Sequence, residues 1–152
     1  MLAVVRIGGH AGLERDVKDT LKMLKLDAIH DCVLVPNTPD YKGMVEKVRN
    51  HVTYGEIDKQ TLAEILRKRL KSTNNERILD DSLKSISGHN SCDELADDLL
   101  SGKVRLSQFK KLQPVLRLSS PSKGFKSTKS HYPEGDLGYR KNTINRLLER
   151  MI

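Results

Sequence analysis

The stretch Leu2-Ala-Val-Val-Arg-Ile-Gly-Gly9 is a short apolar run stopped by two glycines. Its length and β-branched content fit a strand buried on both faces. After the glycines, Val17, Thr20, Leu21 and Leu24 recur at i, i+3, i+4 and i+7 between charged neighbours, which predicts an amphipathic helix from about Leu13 to Leu26. Asp31-Cys-Val-Leu-Val-Pro36 repeats the strand signature, and Pro36 closes it because proline cannot donate to a ladder. In Asn37-Thr-Pro-Asp-Tyr-Lys-Gly-Met-Val-Glu-Lys-Val48 a second helix opens. Thr38 suits the N-cap, Pro39 the first helical position and Asp40 the positive end of the dipole. Tyr41, Met44, Val45 and Val48 form its apolar stripe, and His51-Val-Thr-Tyr-Gly-Glu56 supplies a third strand. Residues 1–56 thus predict a strand-helix-strand-helix-strand unit.

Gly43 lies off that stripe, although glycine inside a helix costs about 1 kcal/mol against alanine. Either it is a tolerated surface glycine, or another backbone or a phosphate comes too close for a Cβ.

Beyond residue 56 the pattern turns helical. Asp58 reads as the cap of a third helix, with Ile57 and Leu62 as a hydrophobic staple and Leu62, Ile65 and Leu66 facing inward. Ile78, Leu79, Leu83 and Ile86 suggest a short helix. Ser91-Cys-Asp-Glu94 is a capping box opening another, which buries Leu95, Leu99 and Leu100 and stops at Gly102. Pro114-Val-Leu-Arg-Leu118 reads as a late strand, and Ser119 to Tyr139, rich in Ser, Gly, Pro and Lys, as a loop or long hairpin with little core of its own. Ile144, Leu147, Leu148 and Met151 make a C-terminal helix that docks on the body.

Composition narrows the function. At 152 residues the chain can bury a substantial core, and with aromatics at 4% and no Trp, that core is aliphatic. A wide aromatic platform for stacked bases is excluded. No apolar run approaches the roughly 18 residues that span a bilayer, and Met1 leads into the first strand without a charged leader, which predicts a cytosolic protein. Cys32 in an apolar run and Cys92 at a helix start favour free thiols over a disulfide framework. The net charge of +7 is unevenly placed. Ser101 to Pro133 contains no Asp or Glu but holds Lys103, Arg105, Lys110, Lys111, Arg117, Lys123, Lys126 and Lys129. The preceding segment, Glu76 to Leu100, is acidic. One region of the molecule, not the whole surface, would therefore meet a polyanion.

Catalytic patterns do not emerge. Gly8-Gly-His-Ala-Gly12 lacks both the P-loop and the dinucleotide spacing. His89 and Cys92 are the only metal-like pair close in sequence, and a structural zinc needs four ligands. Neither an enzyme nor a cofactor is predicted. The acid-free block is either a solvated linker or a surface for phosphates and unpaired bases, and Phe125, Tyr132 and Tyr139, spaced through or just beyond it, favour RNA.

Several segments taken together resemble a known family: Met1 to Ile7, the Asn37-Thr-Pro39 turn with Gly43-Met44, Gly55-Glu-Ile-Asp58, Gly124-Phe-Lys-Ser127 through Tyr132, and Gly135-Asp-Leu-Gly-Tyr-Arg140. The chain is similar, nearly end to end, to the large-subunit ribosomal protein L thirty family in its long archaeal form. The resemblance implies an α+β fold, with a ferredoxin-like core at 1–56 and a helical and basic-loop extension at 57–152 packed upon it. It implies a non-catalytic, cytoplasmic constituent of the large ribosomal subunit, one copy in each. Its partners would be large-subunit ribosomal RNA, the neighbouring five S RNA and adjacent ribosomal proteins, with no membrane and no small-molecule substrate.

Family cations in the first loop and beside the Thr-Pro turn map onto Arg6, His10, Lys42, Lys47 and Arg49, with Gly43 between them. The chain departs from the family pattern in carrying Gly8 and His10 where arginine is common and Leu70 where glycine is frequent. The expected RNA contacts also include Lys68 and Arg69 on the third helix and Lys110, Lys111 and Arg117 before the arm. Lys123, Phe125, Lys126 and Lys129 within the arm, and Tyr139, Arg140 and Lys141 at its end, complete the set. Rival readings are a free-standing RNA-binding or RNA-chaperone module and a small nucleotide-binding enzyme using Gly8 to Gly12.

Overall fold

A computed structural model of the chain describes residues 1–78, 80–89 and 91–152, with backbone alone at 80–82 and 85. The elements in order are β1 (Leu2–Arg6), α1 (Arg15–Met23), β2 (Asp31–Val35), α2 (Pro39–Lys47), β3 (Val52–Glu56), α3 (Lys59–Arg69), α4 (Asp80–Ser87), α5 (Cys92–Leu100), β4 (Val115–Arg117), β5 (Gly138–Tyr139) and α6 (Ile144–Glu149). The strands form one sheet in the order β4-β2-β1-β3-β5. β1 runs antiparallel to β2 and β3, β4 antiparallel to β2, and β5 parallel to β3.

The period-2 geometry of β1 divides the molecule into two layers. Leu2 and Val4 join Val33 and Val35 against Leu21, Leu24, Val45 and Val48 of the α1 and α2 segments. Ala3 and Val5 point the other way, with Cys32, into a larger core built from Leu62, Ile65 and Leu66 of α3, Leu95 and Leu99 of α5, and Ile144, Leu147, Leu148 and Met151 in and just after α6. Hence β1 is apolar at consecutive positions: both its faces are covered. The extension supplies one of those covers, and the fold is α+β with a ferredoxin-like strand-helix core.

Gly55 shows how closely the second layer sits. A Cβ there would run into the Lys141 carbonyl and the Ile144 side chain. Asn145, 5% exposed, locks the same junction. Its Nδ2 donates to the Glu56 carbonyl at 3.2 Å and to the Asp58 carboxylate at 2.8 Å, while its Oδ1 accepts from the Asp58 N–H at 3.0 Å. Asp58 therefore stands at the N-cap of α3 without capping it; its carboxylate is held by α6 instead. Thr38 likewise occupies the N-cap of α2 with no side-chain cap bond, whereas Ser91 does cap α5, accepting from the Glu94 N–H at 3.3 Å.

Some expectations need correcting. α1 is shorter than the periodicity suggests, because Glu14 is extended and Lys25 turns into the left-handed region at φ +59°. The short helix forms as α4, but Leu79, assigned to its apolar face, lies outside the described residues. The arm from 119 to 139 is more firmly built than a bare loop. Its Ser119 and Ser122 N–H groups donate to the Met151 and Arg150 carbonyls at 3.0 and 2.8 Å, Leu137 is buried, and Asp136 is 3% exposed. Cys32 and Cys92 are buried and form no disulfide, and burial pushes the Cys32 pKa up to about 12.

Candidate nucleic-acid interface

The expected cations divide sharply by environment. Arg6 is 2% exposed. Its guanidinium donates to the Leu26 and Asp27 carbonyls at 2.7 and 2.8 Å and to those of Gly8 and Gly9 at 2.9 and 3.1 Å, with His10 Nδ1 3.3 Å away. All three guanidinium nitrogens are engaged, so Arg6 is a buried strut between the β1–α1 and α1–β2 loops. Burial pulls its pKa below the ordinary arginine value, with Asp27 and Asp31 opposing the shift. As an expected RNA contact Arg6 therefore stands apart from the other cations: its guanidinium donors are taken up within the fold.

Three further candidates are engaged internally in part. Phe125 is half-buried against the larger core with its ring 5.8 Å from that of His30, so packing takes part of its surface. Arg69 donates to the Ser119 hydroxyl and the Met151 and Ile152 backbone oxygens, tying α3 to the C-terminus. Arg140 is paired at 2.6 Å with buried Asp136, whose other carboxylate oxygen accepts from the Lys126 N–H. The Arg140 guanidinium also lies over the Tyr132 ring, 5.1 Å from its centroid.

Around α2 the surface is mixed. Lys42 and Gly43 are exposed and line an open groove of about 470 Å³ with Glu46, Tyr54, Glu56 and Tyr139. No atom lies within 4 Å of a Cβ built on Gly43, so helix-to-helix crowding does not account for it. Arg49 is 2.6 Å and Lys47 3.5 Å from the carboxylates of Glu46 and Asp16. Hydrogen bonds from Tyr54 and then Arg49 hold the Glu46 carboxyl below its ordinary pKa. Tyr139, 44% exposed, donates to Glu56, which raises its own pKa. His10 and Lys68 are exposed.

The arm and its approaches differ in kind. Lys110, Lys111, Arg117, Lys123, Lys126, Lys129 and Lys141 are all exposed, and no ion pair engages them among the described residues. What holds the arm is largely its backbone and Asp136; Lys126 Nζ also donates to the Pro133 carbonyl at 3.2 Å, while the side chains of Lys123 and Lys129 face outward. Three acids of α5 are paired with other groups. Asp93 and Asp97 pair with Arg67 and Lys59 of α3, and Asp98 with His89 and Lys103. The side chains of Asp80 and Asp81 lie outside the described residues. Pairing of Asp93, Asp97 and Asp98 thus offsets part of the acidic segment, and the exposed cations of the arm stay outside those pairs.

Two exposed arginines, Arg146 and Arg150 on and just after α6, were missed by a reading that followed the acid-free block, because they lie beyond Glu134 and Asp136. Their spacing of four on a helix was the available signal. Among the described residues no cluster of His, Cys, Asp or Glu could hold a metal, and no helix is long and apolar enough to cross a membrane.

These features define a class: a small α+β scaffold presenting unpaired cations on one limb. Comparison with known proteins makes the assignment specific. The profile of the family described as Ribosomal protein L30p/L7e matches residues 2–52. The chain is 44% identical over 151 residues to the large ribosomal subunit protein uL30 of Archaeoglobus fulgidus, covering 99% of each chain. It is 44% identical to that of Methanocorpusculum labreanum, again with 99% of each covered, and 39% identical to that of Thermoplasma volcanium over all of this chain and 93% of the other. The chain belongs to the ribosomal protein L30p/L7e family.

Proposed function

We propose that the chain is a structural constituent of the large ribosomal subunit, binding ribosomal RNA and supporting subunit assembly in the cytoplasm. Its work is placement, not catalysis. The observation that supports the RNA contact is the contrast between Asp93, Asp97 and Asp98, each paired with a cation or histidine, and arm cations that have no ion-pair partner among the described residues. Phosphates are the complementary ligand, since Lys and Arg neutralise them without reading sequence. Neighbouring ribosomal proteins complete the environment. Family resemblance extends the proposal to five S RNA as a neighbour and to one copy per subunit.

In this reading residues 1–56 are the family core, a division supported by the profile match to 2–52, and residues 57–152 are the extension that covers the second sheet face and carries the arm. The contacts assigned are Lys123, Lys126 and Lys129 first, then Lys110, Lys111, Arg117 and Lys141, with Lys42, Gly43, Lys68 and His10 at the margins.

Filter binding against fragments tiling a large-subunit ribosomal RNA tests this. Affinity should fall steeply with salt. Replacing Lys123, Lys126 and Lys129 together by Ala should reduce the log–log salt slope by about 2–3 without lowering Tm, as all three side chains are exposed. A flat response of the native protein contradicts phosphate neutralisation; an unchanged slope in the triple variant moves the contact off the arm.

A further inference from the structure

The C-terminal helix and the end of the arm enclose a cleft of about 210 Å³ lined by Tyr132, Arg140, Thr143, Arg146, Leu147 and Arg150. Three of its six lining residues are arginines. We propose that this cleft is a phosphodiester-binding site for the ribosomal RNA backbone, with Arg146 as its principal contact; the inference rests on the RNA-binding reading above.

The arginines differ in their freedom. Arg140 lies at the base: its carboxylate partner Asp136 takes one terminal nitrogen, while its Nε–H is buried and has no hydrogen-bond acceptor. A buried donor left unpaired is costly unless something arrives to accept from it. Arg150 is half committed, since its Nε and one terminal nitrogen donate to the Ser122 and Gly124 carbonyls, so it shapes the cleft and holds the arm against α6. Arg146 is exposed, and no hydrogen bond or ion pair engages it among the described residues. A free guanidinium beside two fixed ones presents forked donors suited to phosphate oxygens. Tyr132, 39% exposed and stacked against Arg140, gives the cleft an aromatic wall on which a neighbouring ribose or base can lie.

Charge favours the same ligand. The carboxylate built into this corner, Asp136, is satisfied twice over, by Arg140 and by the Lys126 N–H. What remains uncompensated among the lining groups is positive, so an anion is drawn and a basic peptide is repelled.

The test is a salt series of filter binding with tiled large-subunit ribosomal RNA fragments, using the full-length protein, Arg146→Gln and Arg146→Lys. Arg150 is left intact because it also holds the arm. Arg146→Gln should keep the native Tm and lower the slope by about 0.7–0.9, so that the native protein's advantage shrinks about threefold between 50 and 200 mM salt. Arg146→Lys should restore the slope, because the charge returns. Steep salt dependence in the native protein with an unchanged slope in Arg146→Gln overturns the cleft and leaves RNA binding standing. A flat response already in the native protein overturns both.

Discussion

Arg6 and the lysines of the arm carry the same charge and have opposite uses. Arg6 sits in an apolar strand and turns every guanidinium nitrogen onto protein, four backbone carbonyls and His10, so that two loops are pinned to one strand end. Lys123, Lys126 and Lys129 sit on a segment whose backbone is held elsewhere, and their side chains face solvent. A cation whose hydrogen bonds are filled internally stabilises the fold and offers nothing to a partner. One that the fold leaves unfilled, or holds by a single exposed bond as Lys126 is held by the Pro133 carbonyl, contributes little to stability and remains available for RNA.

The sharpest way to break this contrast is Arg6→Met. It removes the guanidinium and strands the carbonyls of Leu26, Asp27, Gly8 and Gly9. Losing a buried network of this kind should cost about 3 kcal/mol, a fall in Tm of about 6–12 °C for a chain of this size. Well below that Tm, RNA affinity should stay within about twofold of native, as no charged contact is lost. Thermal denaturation followed by circular dichroism, set beside filter binding, reads both. An unchanged Tm with a collapsed affinity would return Arg6 to the interface.

The burial of Arg6 shows what sequence can and cannot carry. The three core strands and both core helices were legible because period and punctuation are local. The burial of Arg6 was legible too, had its neighbours Val5 and Ile7 been weighed above its charge. By contrast, the Asp136–Arg140 pair joins two residues of an irregular segment, and no periodicity announces that they face each other. β5 is two residues long and exists only because β3 offers an edge. The docking of Phe125 beside His30 depends on where a chain nearly a hundred residues away has been laid. That the arm's cations lack ion-pair partners among the described residues became visible only once Asp93 and Asp97 had been matched to α3 and Asp98 to His89 and Lys103.

The same division runs through the glycines. Gly55 is required from within, since α6 leaves no room for a Cβ, while Gly43 has open space around it. Internal packing therefore gives no reason for Gly43, which leaves a tolerated surface glycine or an external approach. Gly43→Ala should raise stability by about 0.5–1 kcal/mol, the helix-propensity gain at an exposed site, and should weaken RNA binding if a backbone or phosphate approaches α2 in the bound state. Chemical denaturation gives the first number and filter binding the second. Greater stability at native affinity would make Gly43 a tolerated surface glycine.

The smallest effect expected tests whether the charge of Arg6 is felt inside the protein. His51 lies beside it, its pKa lowered from 6.5 first by burial and then by the field of Arg6. A histidine that resists protonation when folded takes up more protons when unfolded. Its contribution to stability is therefore complete above about pH 6.5 and fades as pH falls through the lowered folded value. The loss of Tm on moving from about pH 7.5 to about pH 5.5 should accordingly be smaller in His51→Gln than in the native chain. In Arg6→Met the nuclear magnetic resonance titration of His51 should move back toward the ordinary histidine value, though not fully, because the larger cause, burial, stays in place. Replacing Lys126 should leave that titration where it was, since an exposed ammonium is screened by solvent and salt. An equal response to both substitutions would mean that the two kinds of cation are not electrostatically distinct.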